Sequence, residues 1–222
     1  MKKDLIKRNI QKVRDENLDY FSGLMTPSHD GHQMVGQTSV SHQKRFLKIM
    51  ELGDYSNKAL LDIGCGIAGF YEFLKNQNIR ADYWGLDIVP QMIESARETF
   101  PEIKDKLWVG DFLESNPKQA YDFVVSVGPL NLKFKSASNL ETTFLFIKKM
   151  CDLSRIGFAI SMTSALTRKP QKNTFYYSPA DILAEVTRYC PNVRLDHTYL
   201  PHDFTLFGYK KDLYAPSISK KE

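Results

Sequence analysis

The stretch LLDIGCGIAG at residues 60–69 joins an apolar run to a glycine-rich segment. The run Ala59–Ile63 predicts a short buried strand, and residues Gly69–Asn76 predict a helix. Glycines at positions 64, 66 and 69 suit a backbone that turns sharply and comes close to a ligand. The sequence here predicts a strand, a ligand-binding turn and a helix in succession.

The rest of the chain continues this alternation of strands and helices. Two final strands, Val193–Tyr199 and Phe204–Tyr209, are joined by a link too short for a crossover helix, so they must pair antiparallel. Alternating elements predict an α/β fold, a Rossmann-like three-layer sandwich around a mostly parallel seven-stranded sheet with an antiparallel last strand. The other predicted strands are 83–88, 107–109, 122–127 and 157–162, and further helices are predicted from residues 90, 140 and 178.

Residues 1–50, before the first predicted strand, show helical patterns and no strand pattern. Residues 2–20 predict an amphipathic helix, and a second helix is predicted from Ser41, as its N-cap, to Met50. The segment between them is rich in Gly, Ser, Thr, Pro and His. We therefore predict an N-terminal helical cap or lid over residues 1–50, with Tyr20–Gln43 placed to close a site, and one catalytic domain over residues 51–222.

Composition restricts the functional classes. The chain has 222 residues, 42% of them hydrophobic, and a net charge of +4, which suits one core and is too weakly basic to indicate nucleic acid. The three cysteines lie far apart, which predicts neither disulfides nor a zinc site. No signal-like start and no apolar run of the ~20 residues that a membrane helix needs are present, so a cytoplasmic protein is expected.

Acidic residues lie at the ends of three of the predicted strands. The spacing Gly64-x-Gly66-x-x-Gly69 by itself also fits an NAD site. However, a carboxylate at Asp62 suits the cationic amino group of a methionine moiety and would repel a pyrophosphate. Asp87 can accept hydrogen bonds from ribose hydroxyls, and Asp111 beside Phe112 can bind an adenine amino group and cover the ring. An acid at the Asp87 position suits either cofactor. Asp62, the pair of Asp111 and Phe112, and the terminal antiparallel hairpin favour S-adenosyl-L-methionine over NAD.

Four motifs carry a resemblance to a known family. LDIGCG at 61–66 is similar to motif I of the class I S-adenosylmethionine-dependent methyltransferases, GLDI at 85–88 to their ribose loop, GDF at 110–112 to their adenine loop, and YDFVVS at 121–126 to motif IV. The resemblance implies that Asp87 holds the ribose, Asp111 the adenine, and Gly64 and Gly66 the methionine end. Many members carry a third glycine where this chain has Ala68, and we expect binding to survive that change. The predicted cofactor residues are Arg45, as a fork donor to the methionine carboxylate, Asp62, Gly64, Cys65, Gly66, Asp87, Ile88, Gly110, Asp111, Phe112 and Ser126.

Two further segments resemble a group of bacterial methyltransferases with no assigned acceptor. These are QKRF at 43–46 and LPHDFTL at 200–206. The resemblance names a cofactor and no acceptor.

The catalytic residues are expected at the carboxyl edge of the sheet, where open parallel sheets bind ligands. The link between the last two strands lies there, and His202 beside Asp203 is the predicted general base. The alternative is that His202 only caps backbone groups of the hairpin. Tyr176, Tyr177 and Asn131 are predicted to line the acceptor pocket, with core packing as the alternative for the tyrosines.

No metal is expected. His29, His32 and His42 lie near Asp30, but no thiolates join them.

The predicted function is methyl transfer to an oxygen or nitrogen of a small molecule. GPLN at 128–131 stands where an Asn-Pro-Pro-Tyr tetrad or a Pro-Cys nucleophile would indicate adenine, glutamine or cytosine C5 methylation. Methylation of a peptide or RNA, and a non-catalytic cofactor-binding protein, remain alternatives. An NAD dehydrogenase is the least favoured class.

Overall fold

The computed structural model describes residues 2–24, 39–117 and 119–211. Its helices are α1 Lys2–Leu24, α2 Ser39–Ile49, α3 Gly69–Asn76, α4 Pro90–Thr99, α5 Asn139–Leu153 and α6 Pro179–Val186. Its strands are β1 Ala59–Ile63, β2 Asp82–Asp87, β3 Leu107–Val109, β4 Tyr121–Val127, β5 Ser154–Thr163, β6 Asn192–Leu200 and β7 Asp203–Tyr209.

The seven strands form one sheet in the order β3-β2-β1-β4-β5-β7-β6. The first five strands pair in parallel, and β7 runs antiparallel to both of its neighbours. Reversal of the chain order beside β1 creates a crevice at the carboxyl ends of the strands, where such sheets bind ligands. The predicted α/β fold class is confirmed.

The terminal hairpin lies at the edge of the sheet, with β6 paired to β7 alone. In the register, Asp203 pairs with Thr163 at the end of β5 and with Leu200 at the end of β6. The link 201–202 therefore lies at the carboxyl edge, as predicted.

Side-chain caps begin two of the helices, α5 at Ser138 and α6 at Ser178. Ser178 caps α6 by accepting a hydrogen bond from the Asp181 N–H, as predicted. Ser41 is not an N-cap, because α2 already begins at Ser39. Between β3 and β4 the described residues form a turn at 112–114 and no helix, so this connection departs from strict alternation.

Two apolar clusters fill the two faces of the sheet. Phe46 and Ile49 of α2 belong to the cluster that also contains residues of α3 and α4, so α2 is part of the main core. The other cluster lies under α5 and α6. Within the described ranges, no helix combines the length and apolar character that crossing a bilayer requires.

Candidate active site

A cleft opens at the carboxyl ends of β1, β2, β3 and β4. It encloses about 1260 Å³ of empty space, part of it open to solvent. Loops after these strands form its floor, and residues of α1, α2 and α5 line its other walls. Of the predicted cofactor residues, those that line it are Asp62, Gly64, Cys65, Gly66, Asp87, Ile88, Gly110, Asp111 and Phe112.

The glycine loop between β1 and α3 directs its amides into the protein. Gly64 and Gly66 have φ angles of +72° and +55°, which glycine adopts without steric cost. The N–H groups of Gly64 and Cys65 donate to the Leu86 carbonyl at 2.7 and 3.1 Å, and that of Gly66 donates to Asp87 Oδ2 at 2.8 Å. These three donors are therefore already used, which disfavours a pyrophosphate at this loop and with it the NAD alternative.

Ala68 occupies the position where a third glycine is common. Its φ and ψ angles of 62° and 37° are left-handed, and its side chain is fully buried just before α3. Alanine keeps the turn at a cost of about 1–2 kcal/mol relative to the right-handed region. Ala68 therefore holds a backbone conformation that glycine would adopt without this cost.

Asp87 ends β2 and joins two loops. Its Oδ2 accepts from the Gly66 N–H, and its Oδ1 accepts from the Val89 N–H at 2.9 Å. Burial raises the pKa of this carboxyl, and the hydrogen bonds from Val89 and Gly66 oppose the rise. Each oxygen keeps a lone pair, so the carboxylate can also accept from a ribose diol.

Asp62 lies at the end of β1 and is almost completely buried. The Tyr83 hydroxyl donates to its Oδ2 at 2.7 Å. Burial raises the pKa of Asp62 to about 7, the hydrogen bond from Tyr83 lowers it, and the nearby charge of Asp87 raises it further. A cationic group in the cleft would favour the ionised form.

We expect cofactor affinity to rise with pH because of Asp62. Since the pKa of this carboxyl is raised in the folded protein, the stability it contributes is lost as pH rises through about 7. A ligand amino group beside Asp62 stabilises the ionised carboxylate and so offsets the free-energy cost of ionising it in the buried site. Binding of S-adenosylmethionine measured by calorimetry should therefore strengthen about fivefold between pH 6 and 7.5.

Two controls accompany this measurement. Methylthioadenosine lacks the amino group, and D62N cannot ionise, so both should show a nearly flat profile over the same range. A rise of equal size with D62N would show that another group is responsible.

The turn at 111–115 after β3, here called the adenine turn, lies at the end of the cleft where the adenine base is predicted to bind. Asp111 Oδ1 accepts from the N–H groups of Leu113 and Glu114 at 2.6 and 3.2 Å, which leaves Oδ2 for a ligand. Burial raises the pKa of Asp111, and backbone hydrogen bonds oppose this. The Phe112 ring lines the cleft and packs edge-on against Phe146 of α5, with centroids 4.7 Å apart.

Helix α1 lies across the cleft as a roof. Its Glu16 carboxylate accepts hydrogen bonds from the backbone N–H groups of Lys135 and Ser136 at 2.8 and 2.9 Å. Arg14 pairs with Glu114 at 2.9 Å on the adenine turn. The roof residues that line the cleft are Val13, Asn17 and Phe21 of α1 and His42 and Phe46 of α2, and none of them was among the predicted cofactor residues. Part of the predicted lid, residues 25–38, lies outside the described residues.

Arg45 does not line the cleft. Its guanidinium is buried and pairs with Asp203, with Nε and Nη2 2.6 and 2.5 Å from Oδ2. The two bacterial-group segments noted in the sequence, 43–46 and 200–206, thus meet through this ion pair. Ser126 is also outside the cleft lining, because its hydroxyl donates to the Ile63 carbonyl at 2.7 Å and ties β4 to β1.

The predicted catalytic pair is at the sheet edge but outside the cleft lining. His202 Nε2 lies 3.9 Å from Asp203 Oδ2, and the His202 side chain is 41% exposed. The Oδ2 atom of Asp203 pairs with Arg45, and its Oδ1 atom is buried without a hydrogen-bond partner.

The three predicted acceptor residues form a second group near β5. Tyr177 is fully buried, and its hydroxyl donates to the Leu130 carbonyl and accepts from the Thr143 hydroxyl. The Asn131 amide oxygen accepts from the Thr163 hydroxyl at 3.3 Å, and the Tyr176 hydroxyl accepts from a backbone N–H at 2.7 Å. None of the three lines the described cleft.

The cleft fits S-adenosylmethionine. Three carboxylates at successive strand ends are placed for an ammonium group, a ribose diol and an adenine amino group, and the walls between them are apolar. No arginine or lysine occurs among the described residues that line it, so no side-chain cation is placed there to neutralise a pyrophosphate. The orientation of the glycine-loop amides supports the same conclusion.

Comparisons with known proteins agree with this assignment. A methyltransferase domain family matches residues 61–144. A protein of Mycobacterium tuberculosis named as a methyltransferase is 26% identical over 154 residues, which cover 65% of this chain and 89% of that protein. The malonyl-[acyl-carrier protein] O-methyltransferase of Acetivibrio thermocellus is 34% identical over 80 residues, 36% of this chain and only 28% of its own length.

Solved structures show the same fold. The magnesium protoporphyrin IX methyltransferase of Synechocystis, crystallised with bound S-adenosylhomocysteine, superposes with a TM-score of 0.65 at 15% identity over 91% of this chain and all of that one. Together with the family match over residues 61–144 and the cofactor cleft, these likenesses support a class I S-adenosylmethionine-dependent methyltransferase.

Proposed function

We propose that the enzyme transfers the methyl group to an oxygen or nitrogen of a small, largely apolar molecule. The observation that carries this proposal is the roof of the cleft. Val13, Phe21 and Phe46 close an apolar chamber above the cofactor residues, and Glu16 anchors α1 across it. Such a chamber suits a small acceptor better than a folded macromolecule.

The bound cofactor supplies an activated methyl group, so the chain has to align the acceptor and, for a hydroxyl or amine, remove a proton. Among the residues that the structure describes, His42 is the histidine that lines the cleft. Its ring lies 5.5 Å from the Phe46 ring, and Phe46 packs on Phe70 of α3, directly after the glycine loop. We therefore propose His42 as the base on the methionine side, and we keep His202 as the second candidate.

The experiment is a search for the acceptor with methyl-labelled cofactor. Separate reactions would contain small-molecule, peptide and RNA fractions, followed by an apolar aromatic series that carries a hydroxyl, an amine or a carboxylate on one skeleton. Label in the small-molecule fraction supports the proposal. Label in peptide or RNA alone would contradict it, and cofactor binding without transfer to any fraction would favour the non-catalytic alternative.

Replacing His42 with alanine should lower turnover of a hydroxyl or amine acceptor at least ~100-fold, because a general base is lost. The matched variant H202A should change turnover less than about threefold, since that side chain is outside the cleft. Initial rates at pH 6 to 9 would separate a base from a packing role, because H42A should also lose the limb of the profile that reports the imidazole. Loss of turnover in H202A alone would assign the base to His202.

A further inference from the structure

Lys149 of α5 directs its whole ammonium group at the adenine turn. Its Nζ donates to the carbonyl oxygens of Phe112, Leu113 and Ser115 at 2.5, 3.2 and 2.5 Å. An ammonium group has three donors, so this one turn accepts all of them. Burial lowers the pKa of Lys149, and the nearby Asp111 charge raises it.

The ammonium group also fixes the aromatic wall of the cleft. Lys149 Nζ lies 4.9 Å from the centroid of the Phe112 ring, within the range of a cation–π contact. Phe146 of α5 also packs against the Phe112 ring. Phe112 is thus held between two side chains of α5.

The turn needs this cation to keep its shape. Three carbonyl oxygens that converge on one point repel one another unless a donor lies between them. Asp111 depends on the same turn, because its Oδ1 accepts from the N–H groups of Leu113 and Glu114. A shift of the turn would therefore reorient the carboxylate and leave Oδ2 misplaced.

We propose that Lys149 is a positioning residue that holds Asp111 and Phe112 in place to recognise the adenine base of the cofactor. The lysine acts through the turn and does not itself line the cleft. This positioning role affects cofactor binding and is independent of which acceptor is methylated. It predicts that Lys149 determines selectivity for adenine over a base without the exocyclic amino group.

The test compares two ligands that differ at one edge of the base, where deamination replaces the amino donor with a carbonyl and puts a proton on N1. Calorimetry would measure S-adenosylhomocysteine and its deaminated form, S-inosylhomocysteine, with wild-type protein, K149M, K149Q and D111N. Wild type should prefer the adenine ligand about 30-fold, the size expected for a hydrogen bond to a charged group. K149M should lower this ratio at least fivefold, and K149Q, which keeps an uncharged donor, should give an intermediate ratio.

The matched control is K148M, which removes a lysine from the exposed face of α5, where Lys148 pairs with Asp152 at 2.7 Å. Its selectivity should stay within twofold of wild type. If K149M does not fold, as judged by circular dichroism, K149Q carries the test. Folded Lys149 variants with the wild-type ratio would overturn the proposal. If wild type and D111N both bind the two ligands equally well, Asp111 does not recognise the base, and the proposal is also overturned.

Discussion

Replacing Asp87 with alanine is expected to weaken S-adenosylmethionine binding at least 100-fold. The carboxylate connects the glycine loop to the segment after β2 through the N–H groups of Gly66 and Val89. Its remaining lone pairs are the acceptors for the ribose diol, and two charge-assisted hydrogen bonds are worth about 3–6 kcal/mol together. Calorimetry with S-adenosylmethionine, S-adenosylhomocysteine and NAD measures this effect directly.

The matched control for D87A is D82A at the other end of the same strand. Asp82 is partly exposed and pairs with Lys106 at 2.6 Å, away from the cleft. D82A should bind both adenosyl ligands as wild type does. Tight binding by D87A, or binding of NAD in preference to both adenosyl ligands, would refute the assignment of the cleft.

Removing either partner of the buried Arg45–Asp203 ion pair is expected to lower the stability of the protein strongly. Their side chains are 5% and 1% exposed, so removing either partner leaves a buried charge without compensation. R45M or D203L alone should therefore lower the free energy of unfolding by about 3–5 kcal/mol. Because a domain of this size loses roughly 2–4 °C per kcal/mol, the melting temperature should fall by about 10 °C.

The double variant R45M/D203L gives the decisive comparison. Arg45 Nη1 and Asp203 Oδ1 have no partner, so the pair is incompletely satisfied and an apolar pair of similar size should recover most of the lost stability. K75M serves as the control for an exposed pair, Lys75 with Glu102, and should cost about 1 kcal/mol or less. Urea unfolding of all variants tests both statements, and additive losses in the double variant would contradict them.

Sequence patterns predicted the fold well because its signals are local. The apolar run of β1, the glycines after it and the short link before Asp203 each restrict the backbone over a few residues. The bounds of β1, α3 and β3 agree with the prediction for that reason. The carboxylates at 62, 87 and 111 were found in the same way, since strand ends place them at one edge.

The remaining site residues depend on contacts between distant segments. Arg45 and Asp203 are 158 positions apart, and neither periodicity nor a motif shows that a buried arginine pairs with an aspartate instead of a ligand. Lys149 contacts a turn about 36 positions away, and nothing in its neighbourhood marks it. His42 and Asn17 required the packing of α1 and α2 over the sheet before their place in the cleft could be seen.

The two outer strands of the sheet affect how the protein behaves in a crowded solution. An exposed strand edge can template pairing with another chain, and long flat edges are the usual origin of aggregates. Here β3 has three residues, too few for extended pairing. At the other edge, β6 changes register after Asp196, and its charged side chains are held by Lys48 and Glu51 at 2.9 and 3.0 Å. β6 is longer, with nine residues, but its irregularity and its paired charged side chains disfavour edge-to-edge pairing at this side of the described sheet.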